Sequence, residues 1–483
     1  MEDSAIPDPL LSRSGTIVTR IQGNRVRPNS TSTLPTFYRN LEDALDIRRA
    51  SHNFYSIVQN NWQNSDAVDF CSGDILSLGK SPDRRAEFLK EFDRHPDFST
   101  GSSGVRLMDG NHTYLEQAEQ EIASFHGAET GLIVGSAVEA NIAVWSSIPR
   151  PGDVILYDSL VHASTHEGMK RSLAICQVEF PHSEIERFRS TLLEILDSQS
   201  LVRQGKRSVI VAVESIYSMD GDVCPLEELL AVAREVIPNG NVQFVVDEAH
   251  SVGVIGPKGA GLVCELGLQK DIAVVVHSFG KAIGATGAII LGNKTIKSIL
   301  ANFSLSVMYT TSPSFPFVAA IKSGYTLLMS GRTSEAQDRI QRLCIVFFET
   351  LECHPLWPAA REKGLLSVPL TKDWEDRPFQ THIITVSTHQ NYTYWLFFHL
   401  LSLSFCVFPV EHPVVPIGQG RLRIIIHASN TEENVESLVD AIFIWVKEML
   451  ELTEGTGIKT VSTAASRVYS WMKGEGLTGF GMV

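Results

Sequence analysis

Three short apolar runs constrain this chain more than any other feature. Val209–Val213 and Ile272–Val276 consist wholly of Val, Ile and Ala, and Val242–Val246 is apolar except at Gln243. Each is too short for a helix core and too unbroken for a strand with one wet face, so each predicts a strand buried on both sides. Polar residues close every run: Glu214 and Ser218 the first, Asp247 and His250 the second, Ser278 and Lys281 the third. Helical patterns lie between and around them. Leu115, Ala118 and Ile122 form a stripe between His112 and His126, stopped by Gly127. Ser183 with Glu186 predicts a capping box before Phe188, Leu192 and Ile195, and Pro225 opens a helix to about Val236. Such alternation predicts an α/β fold with a large, mostly parallel sheet and helices on both faces.

After about residue 330 the pattern changes. A helix at about 334–352, scattered strands and a helix at about 431–450, capped by Asn430 with Glu433, predict a smaller C-terminal α+β domain. The expected organisation is a flexible arm over 1–35, an N-terminal segment over 36–95, the large domain over 96–330, the small one over 331–452 and a tail over 453–483 with one short helix near Trp471. Of the 483 residues 43% are apolar and 20% charged, which excludes a mainly disordered or fibrous chain. The net charge of −14 argues against nucleic acid as a partner. Seven cysteines without a C-x-x-C pair support neither a disulfide framework nor a zinc ribbon, and fit a reducing compartment. The acidic start Met1-Glu2-Asp3 and the ending Gly481-Met482-Val483 carry no secretory, transit or simple peroxisomal signal, so a cytoplasmic location is expected. Tyr394–Val410 is strongly apolar, but His399, Ser402, Ser404 and Pro409 interrupt it. It predicts a buried helix and strand rather than a membrane span.

Open parallel sheets bind ligands at the carboxyl ends of their strands. A lysine and an aspartate on neighbouring strand ends make either a buried ion pair or the core of pyridoxal phosphate (PLP) chemistry. In the second case the lysine carries the cofactor and the aspartate keeps its pyridine nitrogen protonated. Other motifs fail. Gly280-Lys281 is no Walker A loop, since Val275 stands where the first glycine belongs and Ala282 replaces Ser/Thr. Gly256, Gly259 and Gly261 have the wrong spacing for a dinucleotide fingerprint, and neither H-E-x-x-H nor G-x-S-x-G occurs.

From about Asp69 to about Leu450 the chain resembles the α-oxoamine synthases, a family of fold-type I PLP enzymes, and most of all fungal 8-amino-7-oxononanoate synthase-like proteins. The ordered motifs are Gly101-Ser-Ser-Gly104-Val-Arg106 with Gly110-Asn-His112, Ser136-Ala-Val-Glu-Ala-Asn141, Asp158-Ser-Leu-Val-His162-Ala-Ser164 and Ser218-Met-Asp-Gly-Asp222. Asp247-Glu-Ala-His250, Ser278-Phe-Gly-Lys281, Tyr309-Thr-Thr-Ser312 and Arg421-Leu-Arg423 follow. The resemblance implies PLP carried by Lys281, which also moves protons at the substrate Cα. It implies Asp247 on the pyridine nitrogen, His250 on the ring's 3-oxygen and His162 stacked on the ring face. Ser136, Ser278 and the backbone N–H groups of Ala137 and Val138 would hold the phosphate. Thr310 and Thr311 would reach the phosphate of a neighbouring subunit, implying a homodimer. Arg423 would grip the amino-acid carboxylate, with Glu214 and Ser218 in support.

The implied reaction joins a small amino acid to an acyl-CoA or acyl-carrier thioester, with loss of CO2, to give an α-aminoketone. It would serve biotin biosynthesis or, alternatively, join an amino acid to a fatty or polyketide chain in specialised metabolism. A PLP aminotransferase shares the fold and the Lys/Asp pair, and a non-catalytic subunit would lack Lys281. The chain departs from the family at Gly73-Asp74-Ile75, where Asn-Asp-Tyr is usual, and at Ala137, where glycine is usual. Val105 and Leu107 are apolar where the aminolevulinate branch is polar, which disfavours a succinyl substrate.

Overall fold

The computed structural model describes residues 15–25, 34–57, 66–389, 392–454 and 460–482. Seven strands make the central sheet: β1 (Thr130–Val134), β2 (Val154–Asp158), β3 (Cys176–Phe180), β4 (Val209–Glu214), β5 (Val242–Asp247), β6 (Val274–Ser278) and β7 (Ala288–Gly292). Their order is β1-β7-β6-β5-β4-β2-β3. Neighbours run parallel except at β7, which is antiparallel to both β1 and β6. Every residue of β4 is buried, as its unbroken apolar run requires. The third run forms its strand two residues later than predicted. Val274 pairs with Val245 and Ser278 with Ala288, so Ser278 closes the strand itself.

A second, antiparallel sheet has the order β9-β10-β8, with β8 (Ile383–Ser387), β9 (Phe408–Val410) and β10 (Arg421–Ile425). The helices Ser334–Cys353 and Glu432–Glu454 pack on each other beside it. The apolar segment after Tyr392 forms the helix Thr393–Ser402, which buries Leu396, Phe398 and Leu400, and then short strands. Among the described residues no helix is long and apolar enough to cross a membrane.

Several local expectations fail for physical reasons. Ser183 caps nothing: it adopts φ 54°, its N–H donates to Asp158 at 2.9 Å, and the helix starts at Ile185 without a side-chain cap. Asn430 does not cap the last helix. Thr431 and Asn434 do so reciprocally, each bond at 3.1 Å, while Asn430 donates to the Asp69 carbonyl. The segment read as a flexible arm contains a helix, Gly15–Gly23, that buries Ile17, Val18 and Ile21; its residues 1–14 and 26–33 lie outside the described residues. In the tail, Thr463–Gly474 buries Ala465, Val468 and Met472 and packs on Thr393–Ser402.

Candidate active site

Strand register builds the site. Glu214 pairs with Asp247, and Asp247 with Val276, so three parallel strands end together at one edge of the sheet. Lys281 follows β6 after a short turn in which the Gly280 N–H donates to Ser278 Oγ at 3.3 Å. The Lys281 side chain is half-buried. Burial lowers its pKa from the ordinary lysine value, while Asp247 and Glu214 oppose the shift and Arg423 adds to it. Glu214 is buried, and its Oε1 has no hydrogen-bond partner. Burial, reinforced by Asp247, pushes its pKa well above the carboxylate range.

Asp247 is held at both oxygens. Oδ1 accepts the Ala249 N–H at 2.9 Å and Oδ2 accepts Asn141 Nδ2 at 2.8 Å. His162 precedes the helix Ala163–Met169, with Nδ1 2.7 Å from Ser164 Oγ. His250 is buried with Nδ1 unpartnered, and its ring stacks at 6.1 Å on that of His382. Burial, then Lys281, His382 and Arg423, lower its pKa far below the ordinary histidine value. Ser136 caps helix α1 (Ala137–Ser147), accepting the Glu139 N–H at 3.1 Å. The Ala137 and Val138 N–H groups stand at the open start of α1, where an anion is favoured.

The smaller sheet closes the site. Arg423 on β10 donates to the Ser218 carbonyl at 3.0 Å, and its buried Nε has no partner. Beside it Arg421 pairs with Asp220. Gly221 lets this loop touch β8: at φ 77°, a Cβ there would lie 2.0 Å from the Ile383 carbonyl oxygen. The loop is also clamped from behind. His182 bridges Asp158 Oδ1 at 2.9 Å and Asp222 Oδ2 at 2.7 Å. Burial alone would lower its pKa; hydrogen bonds to the two carboxylates overturn that and raise it to about 10.

The clamp therefore stabilises the fold fully below the unfolded histidine value of about 6.5 and loses that contribution as pH rises through about 10. His182→Gln should lower Tm by about 2 °C or more at neutral pH. The gap from wild type should close as pH rises through about 10. A gap independent of pH would show that the clamp is not ionic.

The structure thus brings Lys281, Asp247, Glu214, His162, His250 and Arg423 to one place. Ser136, Ala137 and Val138 lie at the start of α1, and Ser278 lies at the end of β6. Thr310 and Thr311 are exposed on the rim; Thr311 bridges to Val105, and both threonines line a cavity of about 400 Å³ with Ser102, Arg106 and Glu139. The sequence motifs contain Asn141, Ser164, Asp158 and Asp222 but assign them nothing, and His182 and His382 stand outside every motif. Their hydrogen bonds and ring contacts join segments far apart in sequence. Among the described residues no group of three His, Cys, Asp or Glu side chains could hold a metal. The donor set instead fits PLP: an amine for its aldehyde, a carboxylate for its ring nitrogen and open N–H groups for its phosphate.

The family pattern of aminotransferase class I and II matches residues 65–442. The chain is 47% identical to the aminoacyl transferase sphA of Byssochlamys spectabilis, over 97% of this chain and 99% of that one. It is 40% identical to the 8-amino-7-oxononanoate synthase of Emericella nidulans, over 80% of this chain and 90% of that one. Among solved structures, a serine palmitoyltransferase from S. paucimobilis with bound PLP–myriocin superimposes with a TM-score of 0.68 at 21% identity, covering 86% of this chain and 99% of that one. This likeness shows the same fold. The chain belongs to the α-oxoamine synthase branch of the aminotransferase class I and II family, and is a PLP-dependent C-acyltransferase.

Proposed function

We propose that this enzyme condenses a small amino acid with an acyl thioester, releasing the thiol and CO2 and leaving an α-aminoketone. The observation that carries the proposal is Lys281, its pKa lowered by burial, beside Asp247 at the ends of β5 and β6. PLP, when bound, supplies an electron sink for charge developing at the amino-acid Cα. Asp247 keeps the proton on the ring nitrogen, which makes that sink effective. Lys281 anchors the cofactor and moves the proton at Cα through Nζ, a task favoured by its lowered pKa. His162 would cover the face of the bound ring, His250 would hydrogen-bond its 3-oxygen, and Ser136, Ser278 and the Ala137 and Val138 amides would hold the phosphate. Arg423 holds the α-carboxylate, with Glu214 and Ser218 setting the floor around it. The new bond joins Cα to the acyl carbon, the sulfur departs with its electron pair, and the carboxylate leaves as CO2.

One departure shapes the substrate reading. Gly73 replaces the usual asparagine, and a Cβ there would meet Lys281 Cγ at 3.8 Å. The chain thus lacks an amide beside the lysine, and Arg423 carries carboxylate recognition. Exposed Thr310 and Thr311, with the exposed apolar Leu305 and Tyr309 near them, support a homodimer that shares its sites. The greater identity to the aminoacyl transferases supports specialised metabolism over biotin synthesis.

Thioester choice tests the reaction. Val105 and exposed Leu107 offer a short dicarboxylate no charge partner, whereas each buried CH2 contributes about 0.8 kcal/mol. Chains of seven or more carbons should therefore exceed succinyl-CoA at least about tenfold in kcat/KM, about 1.4 kcal/mol. Thiol release and product mass measure this with a panel of amino acids. Equal values for both chains would return the aminolevulinate branch, and no thiol release with any pair would end the proposal.

A further inference from the structure

A chain of hydrogen bonds links the Asp247 carboxylate to the ring of His162. Asn141 Nδ2 lies 2.8 Å from Asp247 Oδ2 and 3.0 Å from Ser164 Oγ, and Ser164 Oγ lies 2.7 Å from His162 Nδ1. Asn141 is 1% exposed and Ser164 5%, so bulk water does not compete for these bonds.

The proton positions follow from counting donors. Turning the Asn141 amide around would set its oxygen against the Asp247 carboxylate, acceptor against acceptor. The NH2 group therefore faces Asp247, and gives one hydrogen to it and the other to Ser164. The Ser164 backbone N–H points at His162 Nδ1 from 3.2 Å, which makes that nitrogen an acceptor. The Ser164 hydroxyl, already accepting from Asn141, sends its own hydrogen to the same nitrogen. A proton on Nδ1 would collide with the backbone N–H and leave the hydroxyl hydrogen without this acceptor.

We propose that Asn141 and Ser164 are positioning residues that hold His162 as the neutral tautomer protonated at Nε2, while the same amide fixes the Asp247 carboxylate. The inference rests on the reading that His162 and Asp247 flank bound PLP. There it has a consequence. A neutral imidazole on the ring face places no second positive charge against the one Asp247 stabilises, and leaves Nε2–H as its single donor. Asp247 favours a charged His162, but burial, with Lys281 and His166, outweighs it and lowers the pKa of the ring, in the same sense as the Ser164 donors at Nδ1. A role confined to bracing α1 against Ala163–Met169 would affect stability alone.

Nitrogen NMR of ¹⁵N-histidine-labelled protein reads the tautomer directly, with and without PLP, with His162 assigned through His162→Gln. Wild type should show the neutral Nε2–H form at neutral pH, since burial lowers the pKa of His162 from the ordinary histidine value. Ser164→Ala keeps the backbone N–H at 3.2 Å but loses the closer hydroxyl donor at 2.7 Å, so part of the population should move to the Nδ1–H and imidazolium forms. Ser164→Thr, which keeps the hydroxyl, should restore the wild-type signal. Asn141→Ala should do the same as Ser164→Ala and also weaken PLP binding about tenfold or more, the loss of one hydrogen bond to a charged group. The double variant should be no worse than Asn141→Ala in its tautomer. An Nδ1–H or charged His162 in wild type, or an unchanged tautomer in Ser164→Ala, overturns the inference. If Asn141→Ala fails to fold by circular dichroism, the Ser164 pair decides alone. Wild type that binds no PLP defeats the site reading instead, and the spectrum of the cofactor-free protein still decides the tautomer.

Discussion

Lys281→Ala should abolish turnover, by about 10³-fold or more, while the protein keeps its fold and still takes up PLP without attaching it. Two losses combine in this variant. The amine that anchors the cofactor is gone, and so is the base at Cα, a role worth roughly 10²–10⁴-fold by itself. Wild type incubated with PLP should be yellow, and borohydride should fix the cofactor to the chain. Lys281→Ala should release its cofactor on denaturation after the same treatment. Lys281→Arg should not rescue, because guanidinium stays charged and cannot serve as nucleophile or base. Mass spectrometry of the borohydride-treated chains and assays of thiol release give the two readouts. Turnover near wild type in Lys281→Ala, or borohydride labelling at another lysine, would remove Lys281 from the reading.

What the sequence shows depends on the range of the interaction. β4 is legible because a strand buried on both faces must be apolar throughout, and Val209–Val213 has no other use; β5 is fully buried only over 244–246, and Gln243 breaks its run where the strand is exposed. The register of β6 is not legible: Ile272 and Ala273 are as apolar as the strand, and only pairing with Val245 and Ala288 sets its limits. Helix caps fail where a tertiary partner outbids the local one. Ser183 looks like a cap by spacing, yet Asp158, 25 positions earlier, takes its N–H and turns the chain into φ 54°. The site divides in the same way. Lys281, Asp247, His250 and His162 stand in local motifs and were legible in outline. Asn141 stands in a motif too, but its bond to Asp247 spans 106 positions, and no periodicity records such a contact. His182 has no local pattern at all; its meaning arises only when Asp158 and Asp222 close on it.

Asp247→Asn should cut kcat by about 10²–10⁴-fold while PLP binding persists. The side chain keeps its shape but loses its charge, and an amide cannot hold a proton on a pyridine nitrogen as a carboxylate does. Breaking a buried charge pair costs about 3–5 kcal/mol, and each 1.36 kcal/mol on the barrier is tenfold in rate. Which oxygen is lost matters less than the neighbours left behind. Asn141 Nδ2 and the Ala249 N–H, each bonded to this side chain, both donate. An amide can turn its oxygen toward only one of them, so its NH2 faces the other, donor against donor. The variant should therefore also lose stability, which separates it from a purely chemical defect. Asn141→Asp together with Asp247→Asn reverses the pair, restores the hydrogen bond and leaves the charge one residue too far from the ring. Stability should then recover while kcat does not. Thermal melts and single-turnover thiol release follow the two separately. Recovery of kcat in the reversed pair, or a wild-type rate in Asp247→Asn, would show that the carboxylate is not what makes the cofactor an electron sink here.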